Sequence, residues 1–187
     1  MLRDEVNRAF EVLKEGGLIL YPTDTIWGIG CDATNAAAVK KVYEIKNRPQ
    51  TKSMIVLVAD EKDILQHVAN PDITVFEYLQ QTQKPTTVIY PNALGLADNL
   101  IGSDGSIAIR IVQDDFCRHL IKRFRKPIVS TSANIFEHPA PVSFKEIVHY
   151  IKQAVDYIVE YRQDDDSPQT ASSIIRWQQN SPVVIRP

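Results

Sequence analysis

The sequence predicts a single α/β domain built on a mixed β-sheet, and three observations carry that prediction. Short apolar runs such as Leu18–Tyr21, Met54–Val58 and Ile107–Ile111 have the length and β-branched content of buried strands. Segments with apolar residues at helical spacing alternate with them. No internal repeat, and no linker rich in Pro, Gly or Ser, divides the 187 residues.

In chain order, Val6, Phe10 and Leu13 recur at helical spacing, and Gly16-Gly17 closes that helix before the strand Leu18–Tyr21. Thr34 or Asn35 caps a second helix carrying Val39, Val42 and Tyr43, and Met54–Val58 follows as a strand. Further strands are predicted at 87–90, 107–111, 127–130, 157–160, 172–176 and 183–185. Helices are predicted around Ile73, Phe76 and Leu79, around Phe116, Leu120 and Ile121, and around Ile147, Ile151 and Val155. Residues 91–106 and 162–170, rich in Gly, Asn, Asp, Ser and Pro without a period, read as long loops.

Composition narrows the function classes. The two cysteines, Cys31 and Cys117, are too few for a disulfide framework or a metal knuckle, which fits a reducing cytosol. No run of about 18 apolar residues is present, and Arg3, Asp4 and Glu5 stand where a signal peptide needs an apolar core. A cytoplasmic protein without a membrane partner is the expectation. A net charge of −2 predicts no general affinity for nucleic acid, although it leaves room for a local basic patch.

Four segments carry chemistry. Tyr21–Gly30 packs hydroxyls, a carboxylate and two glycines into one turn after a strand, which either lines a pocket or is a capped turn with Gly28 and Gly30 supplying positive φ. Lys46–Lys52 holds three cations in seven residues at a helix end; they either face the negative helix terminus or clamp polyphosphate, with the planar fork of Arg48 beside two mobile point charges. Pro127–Asn134 runs an apolar strand into four small polar side chains, which bond either local backbone or a carboxylate, phosphate or ribose. Ser106, Ala108 and Arg110 share one face of a strand, where the arginine is either an edge residue or a carboxylate clamp. No G-x-S-x-G elbow surrounds any serine of the third segment, and nothing marks His119, His138 or His149 as a base, so a serine nucleophile is not expected.

In this order the segments resemble the Sua5/YciO/YrdC family, the YrdC/TsaC threonylcarbamoyl-AMP synthases. Tyr21–Gly30 is similar to its Y-P-T-[DE]-T-x-[YF]-G-[LIV]-G, Lys46–Lys52 to K-x-R-P-x-x-K, Ile107–Arg110 to [VI]-A-[VI]-R and Ser130–Asn134 to S-T-S-A-N. Ser172–Ile175 and Val184–Pro187 resemble its S-T-[IV]-[VI] and terminal [VI]-[LI]-R-P segments. The chain departs at Thr82–Thr87, where W-P-G-P-[LV]-T is usual, at Phe136–Pro141, where S-G-x-P-x-P is usual, and at Ser53-Met54, where Pro-Leu is usual.

The resemblance implies one YrdC-like domain over residues 1–187, an open twisted mixed sheet with surrounding helices and a concave active-site cleft. It implies synthesis of threonylcarbamoyl-AMP and pyrophosphate from L-threonine, bicarbonate and ATP, without a tightly bound cofactor. Mg²⁺ is expected through the ATP phosphates rather than a protein metal site. By the same resemblance Thr23 and Arg110 contact threonine, and Lys46, Arg48 and Lys52 are catalytic cations on phosphate or carbamate. Ser106, Ser130, Ser132, Asn134 and Arg186 complete the ATP and acyl-adenylate site. The product is expected to pass to a TsaD-containing transfer complex that modifies tRNA, with tRNA itself a possible contact. The alternatives are a non-catalytic RNA-binding protein, using Lys40, Lys41, Lys46, Arg48 and Lys52 or the cluster Lys122, Arg123, Arg125 and Lys126, and a diverged YciO-like member with another ligand. A carbamoyl-transfer module of the HypF type would need acylphosphatase and zinc-finger segments that the sequence lacks.

Overall fold

The computed structural model covers residues 1–187 and places nine strands in one mixed sheet. The strands are β1 (Ile19–Tyr21), β2 (Gly28–Gly30), β3 (Ile55–Val58), β4 (Thr86–Tyr90), β5 (Ile107–Ile111), β6 (Ile128–Ser132), β7 (Tyr157–Ile158), β8 (Ser173–Gln178) and β9 (Ser181–Arg186). Their order across the sheet is β7-β1-β2-β6-β3-β5-β4-β8-β9. The pairs β1/β7, β3/β5 and β4/β8 are parallel, and the remaining neighbours are antiparallel.

Six helices flank the sheet: α1 (Leu2–Lys14), α2 (Ala36–Ile45), α3 (Glu61–His67), α4 (Thr74–Gln81), α5 (Asp115–Phe124) and α6 (His149–Ala154). Alternation along β3 sends Val56 and Val58 into one buried cluster and Leu57 and Ala59 into another, so the two clusters lie on opposite faces. The larger cluster takes residues of α2, α3, α4 and α6. On the other face, the smaller cluster takes α1 and α5, which pack together with Phe10 edge-on to Phe124. Two helices cannot cover a nine-stranded face. The part they leave bare is the concave surface on which Ile55, Ile89, Ala108, Arg110 and Ser130 stand.

Several sequence expectations are corrected. Gly28 and Gly30 do not serve positive φ; the left-handed glycines are Gly16, Gly95 and Gly105. Gly28 and Gly30 belong instead to β2, a strand within the segment expected to be one turn. At Gly30 a Cβ would come within 2.5 Å of the Tyr21 ring and 2.8 Å of the Val129 carbonyl. Absence of a side chain is what lets β2 lie beneath Tyr21, whose hydroxyl donates to Val129 O. Helix α3 was also unforeseen; Asp60 and Asp63 form a reciprocal capping box that starts it. Of the two proposed caps for α2, Asn35 accepts from the Ala37 and Ala38 amides. Strand β7 is shorter than expected, while β6 runs on to Ser132. No helix is long and apolar enough to cross a membrane.

Candidate active site: a cationic cleft on the open face

The bare face holds a cavity of about 340 Å³. It is lined by Thr25 and Trp27 before β2, Arg48 and Ser53 after α2, Arg110 on β5, Ser130 and Ser132 on β6, and Ser172 and Arg186 at the β8/β9 edge. A larger cavity, about 680 Å³, opens beyond the carboxyl ends of β3 and β5. Its charges, Lys62, Lys84 and Arg118 against Asp60 and Glu61, nearly balance, and it contains none of the sequence-predicted site residues. The smaller cavity gathers three guanidinium groups over an apolar floor, which is the stronger signature of a binding site.

Arg110 is the buried charge of the site, at 3% exposure. Its Nη1 donates to Thr25 Oγ1 at 3.1 Å, and Nη2 lies 3.1 Å from Asp24 Oδ1. That approach is an ion pair without hydrogen-bond alignment, so Asp24 Oδ1 and Arg110 Nε remain unpartnered inside the protein. Asp24 Oδ2 accepts from the Gln113 amide. A guanidinium held by Thr25 and Asp24 while lining a cavity is equipped to pair with a ligand's oxygen.

Thr23 sits behind this arrangement rather than in the cavity wall. Its hydroxyl bonds the Thr25 hydroxyl, the Thr25 amide and the Ile26 carbonyl, and so shapes the turn that presents Thr25. Thr25 is the member of the motif that faces the cavity, a distinction invisible in the motif itself.

Helix α2 ends in a Schellman arrangement: Asn47 adopts φ 50°, its amide bonds Glu44 O, and the Arg48 amide bonds Tyr43 O. This reversal separates the two cations. Lys46 turns inward, at 1% exposure, and its ammonium donates to Ser132 O at 2.5 Å, Asn134 O at 2.6 Å and Asn134 Oδ1 at 3.2 Å. Burial, with Arg48 nearby, pulls its pKa down to about 7. All three ammonium protons have protein acceptors. Arg48 lines the cavity, donating to the Lys52 and Ser53 carbonyls and lying over the Phe136 ring. Burial lowers its pKa.

Arg186 donates through Nε and Nη2 to Ser172 O, and the Ser172 hydroxyl shares a hydrogen bond with Thr87. Partial burial and, after it, the charge of Arg110 lower the Arg186 pKa. Two guanidinium groups thus repel each other across a cavity that an anion would neutralise.

Arg48, Arg110, Ser130, Ser132 and Arg186 are therefore brought together. Lys46, Lys52, Ser106, Asn134 and Thr23 are not in the wall. Lys52 is exposed, Ser106 donates to Asp104, and Asn134 spans Lys46 and the His138 carbonyl. Sequence reasoning missed Asp24 and Arg162 as supports and Ser53 as lining; their partners are distant in sequence, and only Asp24 lay inside a recognised motif.

Fold and cavity together define an α/β protein with a cationic, hydroxyl-lined cleft on the open face of a mixed sheet. A family profile described as Sua5/YciO/YrdC, telomere recombination, matches residues 11–187, and the chain belongs to that family. It is 32% identical to the threonylcarbamoyl-AMP synthase of Idiomarina loihiensis over 162 residues, 85% of this chain and 87% of that one. Its fold is similar to P. abyssi Sua5 complexed with L-threonine, with TM-score 0.85, 24% identity and 97% of this chain covered. The chain spans about half of that protein, 53%. E. coli YciO has the same fold, with TM-score 0.80, 20% identity, and 100% of this chain and 89% of that one covered.

Proposed function

We propose that this chain is a threonylcarbamoyl-AMP synthase, a transferase of the nucleotidyltransferase type acting on L-threonine, bicarbonate and ATP. The observation that carries the reading is the meeting of Arg48, Arg110 and Arg186 with Ser130 and Ser132 around one cavity, in a chain whose relative over most of its length bears that name.

Arg110 suits the threonine carboxylate, because it is a guanidinium in the cavity wall held in place by Asp24 and Thr25. The threonine amine adds to bicarbonate, losing water, to give a carbamate. A carbamate oxygen then attacks the α-phosphorus of ATP, the bond to the β-phosphate oxygen breaks, and pyrophosphate leaves. Arg48 and Arg186, both in the cavity wall, offset the charge that accumulates when carbamate meets triphosphate. Ser130 and Ser132 supply neutral donors beside them. No group of three or more His, Cys, Asp or Glu is placed to hold a metal, so Mg²⁺ would enter on the phosphate oxygens of ATP. The product would go to a TsaD-containing complex for transfer to tRNA.

The basic cluster at the end of α5 gives the RNA-binding alternative little support: Arg123 lies over Phe10, and Lys126 pairs with Asp32. Pyrophosphate release should require threonine, bicarbonate and ATP together and proceed without RNA. Release that ignores threonine, or none at all, would reject the assignment.

A further inference from the structure

Arg162 lies outside the cavity, in a stretch that the sequence marks only as loop, yet its side chain makes four hydrogen bonds, two of them to residues distant in sequence. Its backbone is left-handed, φ 64°, at a residue other than glycine. Its side chain is 25% exposed. Nη1 donates to Asp114 Oδ2 at 2.7 Å and to the Thr23 carbonyl at 3.2 Å, while Nε and Nη2 both reach Asp165 Oδ2 at 3.3 Å. Asp114 is itself fixed, since its other oxygen caps α5 through the Cys117 amide.

The turn at residues 22–25 is tied at three points to the β5–α5 connection and the first turn of α5. Cys117 Sγ donates to Pro22 O, the Gln113 amide donates to Asp24, and Arg162 bridges Thr23 O and Asp114. That turn supplies Asp24 and Thr25, the two side chains that orient Arg110. Asp114 and Asp165 neutralise Arg162, so its charge is not a lure for substrate. A guanidinium fork is the one side chain able to serve a carbonyl and two carboxylates at these angles.

We propose that Arg162 is a positioning residue for amino-acid binding: it holds the Thr23-Asp24-Thr25 turn against the start of α5 and so fixes the direction of Arg110. The proposal rests on the synthase reading for its kinetic test. Arg162→Gln should raise the KM for threonine about ten-fold or more while the KM for ATP moves by less than about two-fold. Arg162→Lys should behave like Arg162→Gln, since it restores charge but not the fork, and Asp165→Asn, which leaves both Nη1 contacts in place, should stay close to the native protein.

A residue that merely stabilised the fold would lower the active fraction and affect both substrates alike. Equal changes for threonine and ATP, or an unchanged threonine KM in folded Arg162→Gln, would overturn the proposal. A second readout does not need activity: the Nε–H resonance of Arg110 in ¹⁵N-arginine-labelled protein. It should shift in Arg162→Gln and Arg162→Lys and not in Asp165→Asn; an unmoved resonance overturns the positioning role. If the native protein releases no pyrophosphate while the resonance shifts as expected, the synthase reading fails and the positioning of Arg110 stands.

Discussion

Removing the charge of Arg110 tests the centre of the structural account. In Arg110→Met, Asp24 keeps its hydrogen bond from the Gln113 amide but loses the only cation within reach, although its side chain is 8% exposed. Breaking a buried ion pair by deleting one partner costs about 3 to 5 kcal/mol, because the remaining charge stays desolvated. For a chain of 187 residues that corresponds to a fall in melting temperature of roughly 6 to 20 °C. The partner substitution Asp24→Asn removes the stranded charge, so the double variant should recover about 2 kcal/mol relative to the sum of the single losses. Urea denaturation of the four proteins in the cycle measures this coupling directly. A coupling below about 0.5 kcal/mol would show that the pair does not orient Arg110 and would remove the basis for its role in the cleft.

Three other outcomes follow from separate features. Gly30→Ala should cost about 1 to 3 kcal/mol through its collisions with Tyr21 and Val129, and Gly28→Ala, whose nearest contact is 3.2 Å, should cost less; equal denaturation midpoints would contradict this. Lys46 should make stability depend on pH: with a pKa near 7 folded and 10.5 unfolded, the unfolded chain binds the extra proton between those values. The penalty is full below about pH 7 and relieved as pH rises, with a slope of up to about 1.4 kcal/mol per pH unit. Stability curves of native protein and Lys46→Met that stay parallel from neutral to alkaline pH would refute it. In calorimetric titrations of the ATP-loaded protein, serine should bind more weakly than threonine, and valine should not bind, since it leaves a buried polar partner unmatched; equal affinities would point to another ligand.

The sequence revealed much of the sheet because β3 is a continuous apolar run, β5 is apolar but for Arg110, and β6 opens on the apolar pair Ile128-Val129, and such runs report burial directly. It concealed β2 because two of its three residues are glycines, whose reason is contact with Tyr21 and Val129 rather than backbone freedom. The site was legible as motifs and not as roles. Thr23 and Thr25 are equivalent in the sequence, and only the turn decides that the first supports and the second faces the cavity. Arg162 had no period or motif to announce it; its partners Thr23 and Asp114 lie 139 and 48 residues away.

The same division of labour explains the K-x-R spacing. Two cations separated by one residue would share an edge of an extended chain, but the left-handed Asn47 sends Lys46 beneath β6 and leaves Arg48 at the cavity wall. Both then grip the segment after β6. Lys46 does so through the Ser132 and Asn134 carbonyls and through its own carbonyl, which accepts the Phe136 amide, and Arg48 does so through the Phe136 ring. On the proposed reading, a phosphate entering the cleft would meet Arg48 directly and Lys46 only through the strand end it holds. Substitution at position 46 should act by displacing Ser132, and substitution at position 48 by removing a charge from the wall, so the two cations of one motif should be separable in kinetics although only Asn47 stands between them.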